Sequence, residues 1–333
     1  MVRPTNLILL CCLLLLAGAL SAAQASDSVG RKTDGSVIAW GCYLDDYGQC
    51  DVPAAAKKRV TAIAAGNYHS LALTRDGGVL AWGCGRIFDH GQCRVPAAAK
   101  RGVIAIAAGG SHSLALTKGG RVIAWGCGGD SDYGQCDVPA AAKRGVRAIA
   151  AGFSHSLALT KYGRVLAWGC RYPAAGQCDV PAAAKRDVTA IAAGSAIHSL
   201  ALTKGGRVLA WGCSGLRIGQ CGVPALARRR VKTIAAGFDH SLALTTDGRV
   251  LAWGCDFNHD GQCRVLASAN SGVIAIAAGY VHSLALTKDG RVLAWGCGDY
   301  ENYRQCRVPA SAKKGVTAIA AGHAHSLALK LGS

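Results

Sequence analysis

The chain has 333 residues and a formal net charge of +18, with 51% hydrophobic but only 6% aromatic residues. Much of the apolar content is alanine, glycine occurs 44 times and methionine once, which suits thin strands and tight turns rather than thick helices. The basic excess favours anionic partners or surfaces over basic ones.

The N-terminus reads as a targeting segment. Arg3 supplies a positive start, residues 7–20 are apolar but short for a bilayer span, and Ala23-Gln24-Ala25 has the small-x-small form of a cleavage site. Residues 1–25 are therefore expected to be a secretory signal peptide and residues 26–333 a single repeat domain, exported and without a transmembrane span.

From there on one sentence is repeated. Its clearest copy is AIAAGYVHSLALTKDGRVLAWGC at 275–297. Trp-Gly-Cys occurs at Trp40, Trp82, Trp125, Trp168, Trp211, Trp253 and Trp295, which are all seven tryptophans. His-Ser-Leu-Ala-Leu starts at His69, His112, His155, His198, His240, His282 and His325. A period of 42 or 43 residues means a propeller or a solenoid.

Within the second copy, 60–66 predicts a first strand of small residues, 69–74 a second with period-two alternation, 78–83 a third ending on Trp82, and 92–95 a short outer strand stopped by Pro96. Four strands repeated seven times predict an all-β fold: a seven-bladed β-propeller with four-stranded antiparallel blades. The alanine-rich strand belongs nearest the axis, where only small side chains fit. Each Trp belongs between blades, where a large ring buries most. Seven equivalent framework histidines point to a repeated local hydrogen bond rather than a metal site. The chain begins with half a repeat, 34–42, and ends with the complementary half, 316–329. Pairing these N- and C-terminal half-blades would close the ring and remove exposed sheet edges. An open superhelical solenoid would not need complementary ends.

Cys11 and Cys12 lie in the leader. The remaining cysteines form local pairs: Cys42 with Cys50, Cys84 with Cys93, Cys127 with Cys136, Cys170 with Cys178, Cys213 with Cys221, Cys255 with Cys263, and Cys297 with Cys306. Each pair brackets the loop after the third strand. An even count behind a signal peptide reads as disulfides. The pair spacing is too long for zinc, and each repeat offers only two thiols.

The glycine-x-x-His-Ser runs, the Asp-Gly turn before Arg-Val-Leu-Ala-Trp-Gly and the Gly-Gln after the loop resemble the regulator of chromosome condensation repeat family over about residues 30–330. The resemblance implies a seven-bladed propeller. The phrasing Gly-Gln-x-x-Val-Pro-Ala at 91–97 is also similar to the secreted propeller-type β-lactamase inhibitory proteins, and the cysteine pairs to the crinkly-type ectodomains of plant receptor kinases. The first of these implies that an enzyme could be the inhibited partner. A shared fold does not by itself carry function.

Departures from the repeat fall in two turns that an up-and-down blade places at one end: the turn between the first two strands and the cysteine-bracketed loop. Tyr43, Tyr47, Tyr68, Phe88, Tyr133, Phe153, Tyr172, Phe238, Phe257, Tyr280, Tyr300 and Tyr303 lie in these turns, with Asp89 among them; of all Phe and Tyr only Tyr162 lies elsewhere. His90, His259 and His323, the histidines outside the framework, fall there too. Aromatic residues on rigid loops are how recognition surfaces are built, whereas drift would favour Gly, Ser and Asn. The twelve Phe and Tyr residues with Asp89 are the candidate partner-binding residues, on a face that carries more Asp and Glu than Arg. The opposite end collects Lys57, Lys58, Arg59, Arg228, Arg229, Arg230, Lys313 and Lys314, a candidate docking face for an anionic polysaccharide or membrane surface. Without aromatics beyond Tyr162 it does not suit nucleic-acid bases.

No phosphate loop, nucleophile elbow or His-Glu-x-x-His is present. Residues 256–261 match the first half of a calcium loop, but position twelve is Ala267 rather than Glu. Acidic residues of the variable face would suit an extracellular hydrolase, but nothing selects a pair. The expectation is a secreted monomer that is not an enzyme, needs no cofactor or metal, and binds a protein partner through its variable face.

Overall fold

A computed structural model of the protein describes residues 35–43, 46–85, 88–171, 175–195, 198–214, 219–255, 260–298 and 302–331. The expected signal peptide lies outside the described residues, as do Tyr172, Phe257, Tyr300 and the calcium-like residues 256–259.

The chain starts with β1 (Gly35–Gly41). Six blades of three antiparallel strands follow: β2–β4 (Val60–Ala65, Ser70–Thr74, Val79–Trp82), β5–β7 (Val103–Ala108, Ser113–Thr117, Val122–Trp125) and β8–β10 (Val146–Ala151, Ser156–Thr160, Val165–Trp168) come first. Then come β11–β13 (Val188–Ala193, Ser199–Thr203, Val208–Trp211), β14–β16 (Val231–Ala236, Ser241–Thr245, Val250–Trp253) and β17–β19 (Val273–Ala278, Ser283–Thr287, Val292–Trp295). The chain ends with β20 (Val316–Ala321) and β21 (His325–Leu331). β1 pairs antiparallel with β21 and completes the seventh blade. This junction has no covalent turn. It runs over seven paired positions, Gly35↔Leu331 to Gly41↔His325, where the matching pair inside a blade such as β3–β4 has four.

The blades have three strands rather than the four expected. The segment predicted as an outer strand at 92–95 is a tight turn, and Ala97–Ala99 forms a single 3-10 turn. The cause is local chemistry. The Gln92 carbonyl is already taken by the Trp125 indole N–H at 2.8 Å and the Ser113 hydroxyl at 3.2 Å, and Pro96 has no N–H to offer a ladder.

Every innermost strand carries a register shift at its second residue, as between Val60 and Ala62. Such a bulge pushes that side chain out of the ladder, which explains why Ile104 is 53% exposed in a strand of buried neighbours. The core consists of seven equivalent clusters between blades. In one of them Trp125 of the β5–β7 blade packs with Leu71, Leu73 and Val79 of the blade before it. The interblade position expected for tryptophan is therefore the one it occupies.

The framework histidines make the repeated hydrogen bond expected of them, but between blades rather than locally. His69 Nε2 meets Ser113 Oγ at 2.9 Å, His112 meets Ser156, His155 meets Ser199, His198 meets Ser241, His240 meets Ser283, His282 meets Ser326, and His325 meets Ser70 at 3.0 Å. The set is a closed seven-membered ring. Six of these serines donate their own proton to a Gln carbonyl, at 3.0–3.4 Å. A hydroxyl has one proton, so the imidazole facing it must donate from Nε2 and leave Nδ1 bare. Burial pushes His69, His112, His198, His240 and His282 down to about 3 and His155 to about 4. These histidines are neutral components of the frame.

The pH dependence follows from those six groups. Between about pH 6.5 and pH 3 the unfolded chain binds protons that the folded chain refuses, so stability is complete above pH 6.5 and falls as pH falls through that window. Each withheld proton costs about 1.4 kcal/mol per pH unit. Denaturation midpoints measured from pH 8 to pH 4 should fall steeply below pH 6 with uptake of several protons; a flat profile to pH 4 would exclude the neutral ring.

Just before the inner strand, four repeats place glycine at positive φ: Gly102, Gly145, Gly272 and Gly315. Arg59, Asp187 and Arg230 hold the same conformation at φ 60°, 56° and 60°. A left-handed non-glycine residue costs roughly 1–2 kcal/mol. Arg230→Gly is expected to stabilise the protein by about 1 kcal/mol and Gly102→Ala to destabilise it similarly, both read from chemical denaturation.

Candidate functional site

Strand register determines which loops meet. Ala65 pairs with Ser70, and Ser70 with Trp82, so the first turn and the loop after Trp82 lie at the same end of the blade. Val60 pairs with Thr74 at the other end, where Lys57, Lys58 and Arg59 lie exposed and the Arg75 N–H donates to the Arg59 carbonyl. Arg228, Arg229, Arg230, Lys313 and Lys314 occupy equivalent exposed positions. The variable loops also bond to each other around the ring: Tyr43 N–H to the Tyr303 carbonyl, Gly128 N–H to His90, Arg171 N–H to Tyr133 and Ser214 N–H to Ala175.

At that end, rings from several blades make one continuous set. Tyr68 and Phe88 stack with centroids 4.1 Å apart, and Tyr47 stands edge-on to both at 5.3 and 5.0 Å. Phe238 and Tyr280 stack at 4.0 Å, and Tyr280 reaches His323 at 4.1 Å. His323 joins the two groups, lying 5.9 Å from Tyr68 and 6.0 Å from Tyr303. Offset and edge contacts of this kind add roughly 0.5–1.5 kcal/mol each beyond area burial, so the crescent holds its own shape. The rings are half-buried and keep one side toward solvent.

Tyr43 is exposed and lies under the Arg304 guanidinium at 3.4 Å, bridging the seam between the chain ends. Phe153 is exposed and its ring lies over Gly110, where a Cβ would come within 2.8 Å of it. Tyr133 is half-buried in its own loop. Of the predicted residues, therefore, Tyr47, Tyr68, Phe88, Phe238, Tyr280 and Tyr303 are brought together, and Tyr43, Tyr133 and Phe153 share their end of the ring.

Asp89 has a local duty. Its carboxylate accepts the Gly91 N–H at 2.8 Å and pairs with Arg94 at 3.0 Å, and the Gly91 N–H together with the Arg94 guanidinium holds it below the usual carboxylate range. Asp46 accepts from the Gly48 N–H, Asp132 from Gly134, and Asn302 from the Arg304 N–H in the same way. Part of the acidity of this face is thus turn chemistry. Asp239 differs, because burial beside Phe238 raises its carboxyl above the usual range.

Two contributions escape a reading of the sequence. His323 is the junction of the crescent; its place in the first variable turn was the available signal. The glutamines are the other. Gln49 Oε1 accepts the Tyr47 N–H at 2.6 Å, Gln92 Oε1 the His90 N–H at 2.7 Å, Gln135 Oε1 the Tyr133 N–H at 2.7 Å and Gln177 Oε1 the Ala175 N–H at 2.8 Å, while Gln92 Nε2 donates to the Phe88 carbonyl. Each of these loops is therefore tied to a fully buried anchor.

Seven disulfides complete the clasp, in the pairing expected. Cys42 is bonded to Cys50, Cys84 to Cys93, Cys127 to Cys136 and Cys170 to Cys178. Cys213 is bonded to Cys221, Cys255 to Cys263 and Cys297 to Cys306. Their Cα atoms lie 6.0–6.3 Å apart, within the span a disulfide bridges. Closing a loop of about ten residues stabilises by roughly 2–3 kcal/mol in the entropy model, and seven such links mark a protein of an oxidising environment.

Among the described residues no group of three or more His, Cys, Asp or Glu could hold a metal ion, and no helix is long and apolar enough to cross a membrane.

The pattern described as Regulator of chromosome condensation (RCC1) repeat matches residues 60–92, 103–135, 146–171, 188–216, 231–262 and 273–301, together more than half of the chain. Among solved structures the chain is similar to Prp20p from Saccharomyces cerevisiae, at 22% identity over 91% of this chain and 93% of that one, with a TM-score of 0.68. It is similar to human WBSCR16 at 18% identity, covering 90% of this chain and 99% of that one, with a TM-score of 0.62. For the CRINKLY WD40 ectodomain of the Arabidopsis thaliana receptor kinase ACR4 the values are 19%, 78%, 88% and 0.53. These likenesses show the fold. Curated protein sequences include no match.

Gln135→Ala would remove the acceptor of the half-buried Tyr133 N–H, at a cost of about 0.5–1.5 kcal/mol. Hydrogen exchange at that amide should accelerate well beyond the change at β9; equal acceleration of both would contradict a loop-anchoring role.

Proposed function

The chain belongs to the regulator of chromosome condensation repeat family, and from that premise we propose that it is a secreted, non-catalytic protein that captures a protein partner through its aromatic crescent. Propellers of this family bind protein partners. The observation that carries the reading is the contact chain Phe88–Tyr68–His323–Tyr280–Phe238, supplied by separate turns in which the positions of Phe238, Tyr280 and His323 are Asn67, Gly110 and Ser195 in other repeats. Large rigid rings with one side in solvent contribute contact area at little entropic cost. An exported enzyme held inactive by the crescent is the narrowest form of this reading.

A second reading concerns the opposite end. There Arg147 donates across blades to the Val188 carbonyl at 2.7 Å and Lys232 to the Val273 carbonyl at 3.4 Å, so neither charge meets a carboxylate in these contacts. Docking on an anionic polysaccharide or membrane surface would use this end. It would weaken steeply with salt.

Two double variants, Tyr68→Ala with Phe88→Ala and Phe238→Ala with Tyr280→Ala, should each reduce partner capture from culture medium at least tenfold, with the unfolding midpoint lowered by a few degrees but the protein still folded at the assay temperature. Capture that survives both but fails after Arg228→Glu with Arg230→Glu would transfer the function to the basic end.

A further inference from the structure

The axis of the ring ends in a pit beneath the crescent. Its volume is about 120 Å³, and its wall includes the last alanine of all seven inner strands, from Ala65 to Ala321. The lining comes from the last residues of the inner strands and Ser195, and therefore from the half that leads into the first variable turn. The pit opens at the aromatic end.

The mouth is defined by one residue per blade, the first after each inner-strand glycine: Asn67, Gly110, Phe153, Ser195, Phe238, Tyr280 and His323. In six blades the N–H of that residue donates to the glycine carbonyl of the next blade, from Asn67 to Gly109 at 3.1 Å through Tyr280 to Gly322 at 3.1 Å. These backbone groups satisfy each other around the rim and are turned along it, so they offer no donor to an anion in the pit. The rim is uneven. Phe238, Tyr280 and His323 stand as a tiled wall on one side, while on the other the Phe153 ring lies over Gly110.

Size and chemistry select the occupant. Pockets for drug-sized ligands run to about 300–1,000 Å³, so this one holds a single group. An apolar cavity of about 150 Å³ accommodates benzene, so a tyrosine or tryptophan ring is too large and a branched aliphatic group fits. A charged group would lose its hydration against a wall of alanine with Ile149, Ile191 and Ile234.

Building on the reading of the crescent as a protein-binding face, we propose that the axial pit receives one leucine- or isoleucine-type side chain from a protruding loop of the partner. The loop lies against the wall of Phe238, Tyr280 and His323. The alanines at the axis thus serve recognition as well as close convergence of the blades.

The test needs no partner. The protein carrying 13C-labelled alanine methyl groups is titrated with N-acetyl-leucinamide, N-acetyl-lysinamide and N-acetyl-tryptophanamide. Saturable shifts at the axial alanine methyls are expected with the leucine compound only, in the millimolar range. They should vanish in Ala278→Leu and in Ala151→Leu, which fill the pit from different blades; whichever variant keeps its native melting profile decides. No axial response to the leucine compound, an equal response to the lysine compound, or a response that survives filling would each overturn the pit. The crescent double variants fail or succeed in capture independently, so loss of one reading does not hide the other. With a captured partner in hand, filling the pit should weaken binding at least tenfold while the crescent stays intact.

Discussion

The backbone carbonyl of one glutamine per repeat holds the molecule together. It accepts the indole N–H of the next tryptophan at 2.8–3.0 Å in all seven repeats, and in six of them a serine hydroxyl as well. The serine in turn accepts from the histidine of the preceding blade. Four residues with no net charge thus join each blade to its neighbour in a site that excludes water. A net hydrogen bond contributes only about 1 kcal/mol, but an unmet buried partner costs more, so the arrangement works chiefly by penalising any other register. The neutrality of the histidines follows from it. So does the loss of the outer strand, because a carbonyl used between blades is not available to a sheet ladder.

The same glutamine is where frame and function meet. Its main chain faces the core, while its side chain holds the loop that carries Tyr47, Phe88 or Tyr133. Loop residues can therefore vary without disturbing the blade, provided that the glutamine and the disulfide remain. The seventh repeat shows how far this reaches. Arg304 stands where the other repeats have glycine, takes the left-handed conformation at φ 64°, and lays its guanidinium over Tyr43 across the junction of the chain ends. The left-handed backbone there is compensated by a cation–π contact, worth roughly 0.5–1 kcal/mol at an exposed site.

Much of this was legible in the residues alone. The period, the seven tryptophans, the cysteine pairs and the complementary half-repeats lead to a ring of blades closed by β1 and β21, because each is a statement about what one unit cannot bury by itself. The shared end of the variable turns follows from strand alternation. What stayed hidden has one cause. In a repeated text, a bond from His112 to its own blade and a bond to the next blade look alike, since every copy offers the same serine. The fate of a main-chain carbonyl leaves no mark on its side chain, so the outer strand at 92–95 was expected and is absent. The aspartates read as a charged surface because Asp46, Asp89 and Asp132 do not declare that the glycine two positions on will use them. The crescent itself was visible as a set of rings but not as a contact chain, which depends on the junction residue His323.

The most direct measurement is the protonation of the framework imidazoles, read by long-range 1H–15N correlation NMR on histidine-labelled protein across pH 8 to pH 5. The neutral interblade ring requires that His69, His112, His155, His240 and His282 stay in one tautomer, protonated at Nε2 with Nδ1 bare, and that these five and His198 do not titrate while the protein remains folded. Imidazoles carrying the proton on Nδ1, or gaining a second proton near pH 6.5 in the folded state, would contradict it.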